Sequence, residues 1–227
     1  MKHPKAGQKM RPANKNSLLE LAKDVNLSTR QVDQMTAYVE LLEVWNTRTN
    51  LISRQDADRI VSRHVRESLW FCQPRVVKTA RSVLDLGSGA GFPGLVMKIY
   101  LPALKMTLLD SRRMKAVFLQ EAVARLGLQD TEIVCDRAEN LARQAPPPEF
   151  DLITCRAVSK LEQLWAWAAP LLRTGGELAA LKGGQMDAER MLFTRRFPKQ
   201  EVITLDMPVL THDPTAERKM VLIKRDE

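Results

Sequence analysis

Cysteine is scarce in this chain: Cys72, Cys135 and Cys155 are the only three in 227 residues. An odd count without paired metal-ligand spacing offers neither a disulfide framework nor a metal site, and it fits a reducing cytoplasm. Long apolar runs are missing too. The longest, 164–172, is nine residues and contains Pro170, against the roughly 20 that a spanning helix needs. The amino terminus, Met1-Lys2-His3-Pro4, has no apolar signal region, so neither export nor a membrane partner is expected. Acid is absent from residues 1–15, which hold Lys2, Lys5, Lys9, Arg11 and Lys15, five cations of a net charge of +8. Such a segment cannot bury apolar surface and reads as a disordered basic tail. Two roles stay open for it: a solubilising tail, or an arm that tracks phosphates by displacing counterions.

What is present is enough apolar material, 44% of residues, for one α/β domain with a modest extension. Ser28 with Gln31 three residues on reads as a capping box. Val32, Met35, Val39, Leu42 and Trp45 follow at helical spacing, and a second helix is expected from Asp56 to about Cys72. Residues 16–75 therefore read as a helical cap on a domain spanning 76–227. From Arg81 short strands alternate with helices: strands at 82–86, 105–110, 131–135, 150–155 and 176–182, helices near 93–100, 111–126 and 159–172. Gly175-Gly176 reads as a turn into the fifth strand. After it the alternation stops. Strands at 200–206 and 218–225, divided by a loop with Pro208 and Pro214, are expected to pair as an antiparallel hairpin. The predicted fold is a Rossmann-like, mostly parallel seven-stranded sheet ending in that hairpin. No internal repeat or heptad seam is present, and a monomer is expected.

The stretch Asp85-Leu86-Gly87-Ser88-Gly89-Ala90-Gly91 follows the apolar pair Val83-Leu84. It reads as a buried strand breaking into a glycine loop where a ligand approaches the backbone. The dinucleotide fingerprint needs glycine at position 92, which is Phe. A nicotinamide oxidoreductase is therefore the weakest reading. The G-x-G-x-G spacing is typical of enzymes that use S-adenosylmethionine. Asp85 suits a ligand ammonium group, and Asp110, at the end of the second strand, suits ribose hydroxyls or the cap of the next helix. Asp136-Arg137-Ala138-Glu139 and Thr154-Cys155-Arg156-Ala157 fall at the carboxyl ends of strands three and four, where such sheets bind ligands. Arg156 is costly at a buried strand end unless its charge is used. Cys155 reads as a small buried hydrophobe. Trp165 and Trp167 fall on different helix faces, one of them core, and neither reads as a base-stacking platform.

Asn50-Leu51-Ile52-Ser53, His64 with Glu67-Ser68-Leu69, the loop 85–94, Leu109-Asp110-Ser111, Arg137-Ala138-Glu139, Arg156-Ala157 and Leu181-Lys182-Gly183 occur in this order. The set resembles the RsmG family, also called glucose-inhibited division protein B, over about residues 28–225. The resemblance implies a class I methyltransferase that modifies guanine N7 in the 530 loop of bacterial 16S ribosomal RNA. It implies S-adenosylmethionine contacts at Gly87, Phe92, Ala138, Glu139 and Arg156, to which the loop reading adds Asp85, Gly89 and Asp110. The family usually has Asp where Glu67 stands.

Guanine N7 carries a free lone pair, so no general base and no metal are expected. The chain lacks the Asp/Asn-Pro-Pro-Tyr/Phe tetrapeptide of exocyclic-amine methyltransferases and the Pro-Cys nucleophile of cytosine-C5 enzymes. Arg156 and Lys182 are the expected positioning groups at the reacting centre, and Asn50, Arg54 and His64 are candidate substrate contacts. For His64 a hydrogen-bonded place where cap meets domain is an equal reading. Arg190, Arg195, Arg196 and Lys199 fit either a phosphate-binding surface or a solvated face. Alternatives in function are another RNA or small-molecule acceptor, and a ribosome-associated protein that binds S-adenosylmethionine without transfer.

Overall fold

The computed structural model describes residues 9–156, 159–208 and 217–226. Ala157, Pro214 and the first eight residues of the basic tail lie outside them. The cap begins with α1 (Pro12–Asp24) and α2 (Thr29–Asn46). A 3-10 turn (Arg54–Asp56) and a π-helical turn (Ile60–Val65) lead into the short α3 (Arg66–Leu69). Another 3-10 turn (Trp70–Cys72) and α4 (Pro74–Val77) complete it. The helix expected from 56 to 72 is thus broken into turns of different pitch. The capping box forms as predicted: Gln31 N donates to Ser28 Oγ at 3.4 Å, and Ser28 N donates back to Gln31 Oε1 at 2.9 Å.

Over residues 9–15, the described part of the basic tail, the expected disorder does not hold. Pro12 sits at the first helical position, where its missing N–H costs nothing. Arg11 N donates to Glu43 Oε2 at 3.0 Å, and buried Asn14 donates to Glu43 Oε1 at 2.7 Å. Polar anchoring to α2 orders the start of this helix despite its charge.

The sheet comprises β1 (Ser82–Leu86), β2 (Lys105–Leu109), β3 (Thr131–Val134), β4 (Phe150–Arg156), β5 (Leu172–Gly183), β6 (Val202–Asp206) and β7 (Arg218–Lys224). Its order is β3-β2-β1-β4-β5-β7-β6. The first five strands run parallel, and β7 pairs antiparallel with both β5 and β6. The helices between strands are α5 (Gly94–Tyr100), α6 (Arg113–Leu126), α7 (Ala138–Leu141), α8 (Leu161–Ala168) and α9 (Asp187–Arg196). Two of these differ from expectation: α7 is one short turn after β3, and α9 extends the helical alternation past β5. Strand β5 also starts before Gly175-Gly176, through a register shift against β4.

One apolar layer joins Leu18 and Leu21 of α1, Tyr38 and Leu42 of α2, Met97 of α5 and Phe118 of α6 to one sheet face. A second layer covers the opposite face with Leu164, Trp165 and Phe193. The cap therefore shares its core with the sheet domain. The strand order reverses between β1 and β4, and in such sheets the crevice outside the carboxyl ends at that point is where ligands bind. Among the described residues no helix is long and apolar enough to cross a membrane.

Candidate active site

The glycine loop turns back over the end of β1. Gly87 N and Ser88 N both donate to Leu109 O at 2.9 Å, which ties the loop to β2. Gly91 has φ +92°, and a Cβ there would stand 2.4 Å from Leu95 Cδ1. That position admits glycine alone. Asp85 lies beneath the loop, fully buried. Its Oδ2 accepts from Gly94 N at 3.0 Å, and its Oδ1 accepts from Thr154 Oγ1 at 3.2 Å. Burial pushes its carboxyl up to about 6, and the bonds from Gly94, Ser88 and Thr154 hold it back. Asp85 is not among the residues that line the cleft, and the ligand contact expected of it is corrected to a bracing one: Oδ2 holds the end of the glycine loop and Oδ1 holds strand β4.

The cleft above has a volume of about 540 Å³. Of the expected cofactor contacts, Gly87, Gly89, Phe92, Asp110, Ala138, Glu139 and Arg156 all line it. Asp110 lines the cleft, and its carboxylate ties the glycine loop to the residue that precedes the next helix. Its Oδ2 accepts from Gly89 N and its Oδ1 from Arg112 N, each at 2.9 Å. Lys115 Nζ stands 3.7 Å from the same carboxylate. On the opposite wall Trp167 Nε1 donates to Glu139 Oε1 at 2.7 Å. Trp165 is core, as one of the pair was expected to be, whereas Trp167 proves to be a wall of the cleft.

Arg156 ends β4 at the cleft mouth. Its Nη1 bonds His64 Nδ1 at 2.8 Å and donates to Glu67 Oε2 at 2.9 Å. Its Cζ lies 5.0 Å from the Phe92 ring centroid. Glu67, the departure from the usual Asp, splits its oxygens, since Oε1 accepts from Arg218 Nε at 3.1 Å. Burial lowers the affinity of the Arg156 guanidinium for its proton, and the Glu67 charge opposes this. The cost of a buried cation is thus offset by a partner 89 residues away in sequence.

Beyond Arg156 a second cavity of about 680 Å³ opens, lined by Arg63, His64, Glu67, Lys160, Lys182, Glu189 and Arg218 as well as Arg156 itself. Lys182 belongs here, not to the cofactor cleft; its Nζ donates to Ser159 O at 2.7 Å and pairs with Glu189 Oε1 at 2.8 Å. Asn50 and Arg54 line a third hollow of about 420 Å³, which shares only Ile52 with the cleft. The three expected substrate contacts are therefore not brought together. Arg63, Lys115 and Arg218 escaped the sequence reading, which also gave Trp167 no part in a site. Arg63 adjoins the His64 motif and could have been included with it. Arg218 arrives through strand pairing, opposite Gly183, and no local signal marks it. Cys155 is buried, its thiol pushed up to about 12 by desolvation, as expected of a packed hydrophobe.

A sequence profile of the GidB family, described as rRNA small subunit methyltransferase G, matches residues 31–221. The ribosomal RNA small subunit methyltransferase G of Roseiflexus castenholzii is 43% identical over 166 residues, 73% of this chain and 70% of that protein. That of Laribacter hongkongensis is 40% identical over 195 residues, covering 86% and 89%. An O-methyltransferase structure from Bacillus cereus, in complex with SAH, superposes with a TM-score of 0.58 at 15% identity, over 91% of this chain and 96% of that one. At that identity the likeness establishes the class I methyltransferase fold. The profile match and the two relatives go further: the chain belongs to the GidB family of rRNA small subunit methyltransferases.

Proposed function

We propose that the chain transfers the methyl group of S-adenosylmethionine to N7 of a guanine in the 530 loop of 16S ribosomal RNA, with the small ribosomal subunit as its partner. The observation that carries the geometry is Arg156, which lines both the glycine-loop cleft and the adjoining basic cavity. A transfer reaction needs its two reactants in contact, and this residue stands at their common wall.

The cleft fits the cofactor. Its volume of about 540 Å³ lies within the roughly 300–1,000 Å³ of small-molecule sites. Gly89 lacks the Cβ that would fill the cradle. Asp110 has one protein N–H on each oxygen, which leaves lone pairs for ribose hydroxyls. Ala138 and Glu139 offer backbone and carboxylate to the adenine edge. When bound, S-adenosylmethionine supplies an electrophilic methyl on a sulfonium.

The acceptor enters the basic cavity. Arg63, Arg156, Lys160, Lys182 and Arg218 face two acids there, Glu67 and Glu189, so the cavity suits a nucleotide with its phosphate. Guanine N7 needs no proton removed. The two groups best placed to act as a base are in fact engaged: Glu67 by Arg156 and Arg218, His64 Nδ1 by Arg156. The residues therefore align and exclude water, an effect worth roughly 7–11 kcal/mol. Arg156 holds the junction, and Lys182 holds the far wall. N7 must stay free, so base recognition falls to O6 or phosphate contacts.

The test is transfer of labelled methyl to small subunits lacking the modification, followed by borohydride–aniline cleavage at 7-methylguanine. One cut in the 530 loop is expected. Label without a cut would remove the N7 assignment, and no label would remove transfer to this acceptor. Arg156→Ala is expected to lower kcat/KM by about 100-fold or more, in line with losing a charged hydrogen-bonding group at a reacting centre.

A further inference from the structure

His64 has a specific electronic arrangement that neither the family match nor the reaction requires. It is buried in the π-helical turn between cap and sheet. Its ring stacks on Phe92, with centroids 5.2 Å apart and planes at 28°. Nδ1 lies 2.8 Å from Arg156 Nη1. A guanidinium only donates, so Nδ1 must offer its lone pair and the single ring proton must sit on Nε2. Nε2 is buried without a hydrogen-bond partner, 3.5 Å from Asp56 Oδ2. Asp56 is in turn fixed by Ser53 Oγ at 2.8 Å and by Arg59 and Arg63, each at 2.9 Å. Burial and the charges of Arg156, Arg63 and Arg59 depress the imidazole to about 3, against the pull of Asp56. A protonated ring would meet Arg156 proton to proton.

We propose that His64 is a positioning residue: its neutral, Nε2-protonated imidazole holds Arg156 across the mouth of the cofactor cleft. The two hydrogens of Nη1 go to His64 and Glu67. The guanidinium is thereby fixed over Phe92, with Nη2 and Nε left as its donors toward ligands. Glu67 alone supplies charge but allows rotation about a single contact; the second acceptor sets the plane. The inference rests on the proposed function for its link to transfer, and on the cleft alone for its link to cofactor binding.

Two substitutions in the full-length chain separate this role from packing. His64→Phe keeps ring volume and the stack on Phe92 but removes the acceptor. His64→Asn places an amide oxygen near the Nδ1 position but gives up the stack. Calorimetric affinity for S-adenosylmethionine and methyl transfer to unmodified subunits are measured on both. Phe is expected to weaken affinity and kcat/KM by about tenfold or more, and Asn to stay within about threefold of the parent. The reverse order, equal losses in both variants, or no loss in the Phe variant would overturn the inference. Nitrogen-15 spectra of the unsubstituted protein, assigned with the Asn variant, give a check that survives misfolding. Nε2 protonated and Nδ1 bare from pH 5 to 8 is expected, and an imidazolium at pH 5 would overturn it. Absence of transfer by the parent would reject the RNA acceptor while the affinity series still decides the role of His64.

Discussion

Asp85 is an acid placed where its charge is least welcome. Its folded value of about 6 stands above the roughly 3.9 of an unfolded Asp. The native chain thus binds a proton more tightly than the unfolded chain across that window, and stability contributed here falls as pH rises from about 4 to 6. Asp85→Asn keeps one oxygen for Gly94 N and presents an amide to Thr154. Relative to the parent, its unfolding free energy is expected to rise from near zero at pH 4 to a plateau of about 3 kcal/mol well above pH 6, read by urea denaturation at several pH values. A flat difference would refute the assigned protonation. Gly94 makes the same region intolerant of size. A Cβ there would stand 2.4 Å from Leu108 Cδ2 and 2.7 Å from Asp85 Oδ2. Gly94→Ala should cost about 1–3 kcal/mol through overpacking and weaken cofactor binding, which melting curves and calorimetry would show.

At the scale of elements, one buried polar side chain ties α1 to two other parts of the cap. Asn14 donates to Glu43 Oε1 at 2.7 Å and to Ala57 O at 2.9 Å, and accepts from Val61 N at 3.3 Å. Asn14→Ala removes three buried hydrogen bonds, of which only the one to Glu43 leaves its partner another donor, Arg11 N, and is expected to cost about 2–4 kcal/mol, seen as a lowered urea midpoint with an unchanged m-value. The strands of the sheet were legible because buried parallel strands leave short apolar runs between glycine and proline breaks. Helix α6 was legible from its stripe and Gly127, which adopts φ +60°. Helices α1 and α9 were not, for the same reason: each buries few apolar side chains, only Phe193 in α9. Their order comes from polar anchors such as Glu189 Oε1, which accepts from Leu161 N. The cofactor wall was readable where it lies at strand ends. The basic cavity was not, since Arg63, Arg156 and Arg218 converge from three distant segments. Glu67, which stands where the family usually has Asp, joins all three: it accepts from Arg156 and Arg218 and lies 3.7 Å from Arg63 Nε.

For the whole molecule, charge and architecture set how the two reactants are met. A net charge of +8 and a cationic cavity predict that KM for RNA climbs steeply between 50 and 200 mM salt, since each neutralised phosphate releases counterions. The affinity for S-adenosylmethionine, a small ligand with no phosphate chain to shed counterions, should move far less; calorimetry beside initial rates at each salt distinguishes them. The cap meanwhile grips the glycine loop directly. Tyr38 Oη donates to Ala90 O at 2.7 Å, and its ring meets Phe92 edge-on at 5.6 Å. A loop so tied cannot be filled without the news reaching α2. Binding free energy is therefore shared with the amino-terminal helices, and amide hydrogens across 29–46 should exchange more slowly once the cofactor is bound. Removing the Tyr38 hydroxyl should sever that protection while leaving the helix in place, making the cap a slow-exchange reporter of an event on the other side of the loop.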